Sequence, residues 1–347
     1  MAVAVGLAVI GLASIYSATN ATHPEIYTKG TYWIIMGVSV MLIAAILDYT
    51  LLNHFAYIIY GLSMMLLVAV LFLGHGETNR WLDLGVFNVQ PSEIAKLALI
   101  IILAKYFSDR PSRKEGLGFR DLLIPGLIMV VPFLLVAKEP DLGTAMVLAL
   151  IFASITLTIK VKPRVIIGLT LMAAAVFPFA WKGLKTYQKA RLLSFIMPGA
   201  DPHGSGYHVM QSKIAIGSGG FFGKGFLKGT QGKLLFLPEH YTDFIFSVFA
   251  EEWGLLGAMV VLTLFFVLIL RGLNTAENSR DRFGFLLSLG ISAMFFWHII
   301  INLGMVSGLM PVVGVPLPFI SYGGSFMLTS MAAIGILLSI RMRRFVS

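Results

Sequence analysis

Cysteine is absent from the 347 residues. That excludes disulfides and thiolate metal sites, and it leaves the redox compartment undetermined because nothing is available to oxidise. Charge is scarce as well. Asp, Glu, Lys and Arg make up 12% of the chain, against about 25% in an ordinary soluble domain. HExxH and comparable metal clusters are missing, and His203, His208 and His240 lack the spacing of a metal motif, so no protein-built zinc site is expected. No serine stands in a GxSxG nucleophile pattern. What fills the chain instead is apolar: 57% hydrophobic residues and a mean hydropathy of +0.86 identify an integral membrane protein. Met1 runs directly into apolar residues with no basic n-region, so the first hydrophobic segment is expected to be retained.

A spanning helix needs about 20 mostly apolar residues, fewer where flanking side chains reach outwards. Ten segments qualify: Ala2 to Tyr16, Tyr32 to Leu47, Phe55 to Leu73, Ser92 to Phe107, Leu122 to Ala137, Leu142 to Ile159, Val165 to Trp181, Phe244 to Leu270, Phe283 to Gly304 and Ser321 to Ile340. The expected fold is all-α and polytopic, a single domain over residues 1–347. Lys and Arg gather in one set of short loops, at Arg110, Arg113, Lys114, Arg120, Lys160, Lys162, Arg164, Arg271, Arg280, Arg282, Arg341, Arg343 and Arg344, whereas the opposite short connections hold Lys29, Arg80 and Lys138. The positive-inside rule then puts both termini in the cytoplasm and the long stretch 182–243, between the seventh and eighth segments, outside.

That external stretch is basic. Lys182, Lys185, Lys189, Arg191, Lys213, Lys224, Lys228 and Lys233 face only Asp201, Glu239 and Asp243. Solvated lysines near anionic head groups would explain any one of them; together they suit a phosphate-bearing substrate. The run Gly217–Gly225 resembles a phosphate loop but fails the Walker pattern, with Ser218 in place of the first glycine and Gly225 in place of the final Ser or Thr. It reads as a flexible turn whose backbone N–H groups could hold an anion. Asp243, just before Phe244-Ile245-Phe246, reads equally as a helix N-cap or as a catalytic carboxylate. Counting about 20 residues back from Arg271 reaches Glu251-Glu252, which puts those acids at the outer boundary and Asp243 a turn or two above.

Glu93 and Lys96 lie i, i+3 on one helical face near the outer interface. An ionisable group there is either a snorkelling, paired lysine or part of a substrate groove. Trp81 reads alone as an interfacial anchor. His298 and Asn302, i, i+4 on the ninth segment, read as interhelical hydrogen-bonding groups.

Several strings together resemble the SEDS family of shape, elongation, division and sporulation proteins over nearly the whole chain. They are Arg80-Trp-Leu-Asp-Leu-Gly85 with Gln90-Pro-Ser-Glu-Ile-Ala-Lys96, Glu139-Pro-Asp-Leu-Gly-Thr144, Arg191-Leu-Leu-Ser-Phe195 with Asp201-Pro202, Gly217 to Lys228, Leu237-Pro-Glu-His-Tyr-Thr-Asp-Phe-Ile-Phe246 with Glu251-Glu252, and Asn302 through Phe319-Ile-Ser-Tyr-Gly-Gly-Ser325. Phe326 departs from the pattern, where a small residue is usual. The wording of Pro316-Leu-Pro318 and Thr242 to Phe246 is nearest the cell-elongation branch, with the division branch second.

The resemblance implies a multi-pass protein of the cytoplasmic membrane that polymerises lipid II into peptidoglycan glycan strands on the outer face. It implies a class B penicillin-binding protein as partner, a divalent cation (Mg2+ or Mn2+) as cofactor, and Asp243 as the essential carboxylate. Trp81, Glu93, Lys96, Arg191 and Lys213 are the expected substrate contacts; lipid II and membrane lipid, not nucleic acid, are the expected ligands. A lipid flippase is the rival. Against it stand the lack of an internal repeat and the concentration of ionisable groups at the outer face.

Overall fold

The computed structural model describes all residues except 21–22, 75–79, 84–87, 111–115, 184, 198–203, 231–240 and 345–347. Expectations placed on Arg113, Lys114, Asp201, His203, Lys233, Glu239 and His240 lie outside the described residues. Among those described, the chain forms twelve α-helices: α1 Ala2–Thr19, α2 Pro24–Ile46, α3 Thr50–Leu73, α4 Pro91–Ser108, α5 Phe119–Lys138, α6 Leu142–Thr158, α7 Pro163–Gly183, α8 Thr186–Ile196, α9 Ser205–Gly219, α10 Ile245–Glu277, α11 Arg282–Val306 and α12 Gly324–Met342. Seven of them, α1, α2, α3, α5, α10, α11 and α12, are long and apolar enough to cross a membrane, so the protein is multi-pass. All ten apolar segments became helices, but length and composition qualify only these seven. α6 is a short 17-residue helix, and α4 carries Glu93, Lys96 and Lys105.

Two features depart from the all-helical expectation. Leu82–Asp83 (β1) pairs antiparallel with Asn88–Val89 (β2) in the α3–α4 connection. The region expected as one large loop, 182–243, contains α8 and α9.

Local signals place the helix starts. Pro24 and Pro91 open α2 and α4, where a missing N–H costs nothing. Asp141 and Asp281 cap α6 and α11 by accepting from Thr144 N and Gly284 N. The most buried helix is α4, with Ala98 to Ala104 all at 4% exposure or less.

Hydrogen bonds define two ends of the bundle. At one end Arg343 donates to Ala45 O and Ile46 O, Tyr49 to Asp281, and Arg282 to Arg110 O. At the other, Arg80 donates to Glu139 O and Pro140 O, Ser17 to Glu252, and Ser325 to Asn88 O.

The second end contains a built break in α10. Gly254 has φ +62°, ψ −161° inside the helix, so the bonds that Leu255 N and Leu256 N would make to Glu251 O and Glu252 O are lost. The segment after α9 replaces each of them. Leu255 N donates to Gly220 O (3.0 Å) and Leu256 N to Phe221 O (3.2 Å), while Lys224 N and Gly225 N donate to Glu251 O and Glu252 O (3.0 Å each). Non-helical backbone at membrane depth persists only when so satisfied. This corrects one expectation. The Gly217–Gly225 run is a wedge in α10, with these N–H groups committed to protein carbonyls. Glu251 and Glu252, expected at the outer boundary, are buried within the protein at 0% and 3% exposure. Glu251 accepts from Lys224 Nζ (2.6 Å), Thr230 N and Thr230 Oγ1 (2.8 Å each).

Candidate active site

Asp243 stands, half-buried, in the turn that enters α10. The capping position expected for it belongs to Phe244, one residue later. The backbone around Asp243 is clamped from three directions. Asn302 Nδ2 donates to Asp243 O (2.9 Å) and to Val315 O (2.8 Å), Ser321 Oγ donates to Thr242 O (2.7 Å), and Tyr322 N donates to Tyr241 O (3.0 Å). Asn302 is fully buried on α11, so one amide ties the entry of α10 to the irregular 307–323 connection. Asp243 Oδ2 lies against Gly314, where an added Cβ would sit 3.3 Å from it, and Gly314 has φ +70°. A side chain there would be strained and would crowd the carboxylate.

Two cavities flank this turn. The first, about 310 Å³, is lined by Arg191 of α8, Lys213 of α9, and apolar Phe195, Met210, Met310 and Val312. The second, about 820 Å³, is walled by Trp33, Trp81, Tyr241, Tyr322 and Thr242, with Lys29 and Asp83. Asp243 lines neither cavity; the residue before it, Thr242, lines the second, and Asp243 Oδ2 lies against Gly314, two residues beyond Val312 of the first. Of the expected substrate residues, Arg191 and Lys213 share one cavity and Trp81 lines the other. Burial, and next the neighbouring Tyr241, raises the Tyr322 phenol, which stays a neutral donor.

Glu93 and Lys96 are brought together but line neither cavity. Lys96 Nζ lies 2.9 Å from Glu93 Oε2 and 2.8 Å from His298 Nε2, and His298 Nδ1 lies 3.2 Å from Pro316 O. All three side chains are at 3% exposure or less. They join α4, α11 and the 307–323 connection through one buried polar chain, which fits the interhelical role read for His298.

At the same end, Glu139 is 2% exposed and, among the described residues, neither carboxylate oxygen has a hydrogen-bond partner. Arg80 binds the backbone carbonyls of Glu139 and Pro140 instead. Burial, then the charge of Asp141, pushes the Glu139 carboxyl up to about 8.

Among the described residues no group of three His, Cys, Asp or Glu could hold a metal. A lone carboxylate beside a basic cavity still fits a hard cation bound chiefly through substrate phosphates, as Mg2+ commonly is.

The sequence matches the FTSW_RODA_SPOVE family model, described as "Cell cycle protein", over residues 1–345. The chain belongs to the SEDS family. "Peptidoglycan glycosyltransferase MrdB" of Escherichia coli K12 is 42% identical over 316 residues, covering 90% of this chain and 84% of the relative. A chain from the structure "Structural coordination of polymerization and crosslinking by a peptidoglycan synthase complex" superposes with a TM-score of 0.85 at 29% identity, covering 99% of this chain and 97% of that one. The rod shape determining protein RodA of Thermus thermophilus superposes with a TM-score of 0.74 at 26% identity, over 99% and 96%.

The one departure from the SEDS pattern, Phe326, has a structural account. Its ring packs 4.9 Å from the His298 ring and 5.1 Å under Lys96 Nζ, so the larger side chain roofs the buried cation. Trp33, Tyr241 and Tyr322 were not singled out from sequence. Gly323-Gly324 was the available signal, because Gly324 leaves room for the Trp33 ring packed against it.

Proposed function

We propose that this SEDS protein is a peptidoglycan glycosyltransferase that polymerises lipid II on the outer face of the cytoplasmic membrane, for cell elongation and shape. The observation that carries it is the clamped Asp243 turn close in the chain to the linings of two cavities of different character at one end of the bundle. The first offers cations for a pyrophosphate and apolar walls for a prenyl chain, through Arg191, Lys213, Phe195 and Met310. The second offers aromatic faces and polar rims suited to sugar rings, through Trp81, Trp33, Tyr241 and Asp83. In this reading the donor's pyrophosphate lies in the first and the acceptor's sugar reaches in from the second.

The 4-hydroxyl oxygen of the acceptor attacks the donor's anomeric carbon, forming the glycosidic bond. The anomeric carbon–oxygen bond to pyrophosphate breaks, and the pyrophosphate departs with that electron pair. Asp243 takes the hydroxyl proton as general base, and Arg191 and Lys213 offset the charge on the leaving group. Pyrophosphate is already a good leaving group, so the second carboxylate of glycoside hydrolysis is not required. A Mg2+ or Mn2+ held by Asp243 together with the phosphates would supply further charge stabilisation. Glu93, Lys96 and His298 act by positioning, since they hold α4 and α11 against the connection that carries Gly314.

The same proposal has ten helices, α1 to α7 and α10 to α12, crossing the bilayer with both termini in the cytoplasm. The arginines at the end opposite Asp243, including Arg110, Arg282 and Arg343, support that orientation. A class B penicillin-binding protein is the proposed partner, supported by the likeness to a synthase-complex chain.

The test is purified protein with labelled lipid II, followed by separation of glycan lengths. Wild type makes polymer. Asp243→Ala makes none while keeping the wild-type melting temperature. Polymer from Asp243→Ala at the normal rate would overturn the proposal.

A further inference from the structure

A second site lies at the end of the bundle away from Asp243. Between α1, α10 and α12 a cavity of about 210 Å³ is lined by Arg271 and Arg341, with Leu268, Ile334, Leu337 and Leu338 as apolar walls. A neighbouring cavity of about 360 Å³ shares Arg341 and Leu338. Both arginines are exposed, and among the described residues neither guanidinium has a hydrogen bond or carboxylate partner. Arg343, one position from the helix end, is different. It binds Ala45 O, Ile46 O and Ser339 Oγ and lies near Asp48, so it fastens α12 to the α2–α3 turn. The same helix end thus carries one arginine that works as a clasp and another left open to a ligand.

We propose that Arg271 and Arg341 bind the phosphodiester of an anionic glycerophospholipid, with its acyl chains along Leu268, Ile334 and Leu337. Guanidinium groups match phosphate oxygens in bidentate geometry, and basic pockets between membrane helices take phospholipid head groups. The absence of Asp or Glu from the cavity lining sets the class. A zwitterionic lipid would bring an ammonium with nothing to pair it, beside two positive charges. A phosphatidylglycerol head group brings only hydroxyls. With the orientation proposed above this lipid belongs to the inner leaflet, but the binding chemistry requires only that this end meets a bilayer surface.

The experiment uses the full chain, delipidated in detergent, with phosphatidylglycerol or phosphatidylethanolamine added back. Native mass spectrometry counts retained lipid and thermal unfolding gives the stabilisation. Wild type retains phosphatidylglycerol in preference to phosphatidylethanolamine. Arg271→Gln/Arg341→Gln weakens phosphatidylglycerol binding by about tenfold or more, as loss of two charge-assisted contacts implies. Arg120→Gln/Arg164→Gln removes the same charge elsewhere and leaves binding unchanged. Should the first double variant fail to fold, Arg271→Lys/Arg341→Lys keeps the charge, removes the bidentate fork and still lowers affinity. Equal retention by wild type and the Arg271/Arg341 variants, equal loss in the control pair, or no preference between the lipids would each overturn the site. Orientation is read separately by cysteine labelling, so a wrong leaflet and a wrong ligand give different results.

Discussion

At the scale of single residues, Asn302 does more for Asp243 than any neighbour on its own helix. Its amide N–H groups hold two carbonyls on two different segments, and among the described residues its Oδ1 has no partner. Asn302→Asp would turn acceptor oxygens toward those carbonyls, so the turn should shift. A displacement of about 1 Å can cost about 100-fold in rate. Polymerisation by Asn302→Asp is expected to fall on that order while lipid II binding persists, measured by turnover against binding on the same preparation. Glu139 makes a pH prediction. Below pH 4.5 both states hold its proton; from 4.5 to about 8 the unfolded chain releases it while the folded one keeps it. Stability is therefore lost as pH rises through that window. Glu139→Gln should match wild type at pH 4.5 and melt a few degrees higher by pH 8, with no further gain above. His298 and Asn302 were legible because helical spacing alone puts them on one face. The orphaned carboxyl of Glu139 was not, since burial of a turn depends on what packs over it.

Among the elements, α10 and its wedge show what a glycine-rich run can conceal. Sequence records that Gly217–Gly225 bends easily; it does not record where the N–H groups point, and an anion nest and a helix wedge need the same residues. The break itself depends on Gly254, whose Cβ would collide with Gly223 N. Gly254→Ala is expected to destabilise the fold by about 2–4 kcal/mol, from left-handed strain plus lost backbone bonds. Unfolding in detergent should show it, and protease cleavage between α9 and α10 should rise. Glu251→Gln should have a smaller effect in the same direction, because Lys224 loses its charge partner while the backbone bonds remain. The apolar segments themselves were readable, since hydrocarbon solvation leaves little choice but helix, although α2 begins at Pro24 instead of Tyr32 and α10 runs on to Glu277 past Leu270.

For the whole molecule, the lack of cysteine makes orientation directly measurable. A single cysteine at Lys189 should react with an impermeant maleimide in intact cells, and one at Arg164 should react only after permeabilisation. The opposite pattern would reverse the topology and the leaflet of the lipid site together. Counting spans was less secure from sequence than finding them, because α4 buries a Lys–Glu pair that hydropathy counts against it.

The break in α10 divides loyalties within one helix. The segment that follows α9 bonds to both sides of it, donating to Glu251 O and Glu252 O before the break and accepting from Leu255 N and Leu256 N beyond it. A displacement of α9 would accordingly travel along two backbone hydrogen bonds, to Glu251 O and Glu252 O, into the short stub that Asp243 precedes, as a push on a handle moves a latch. A partner at this end of the bundle could shift the Asp243 turn by gripping that handle.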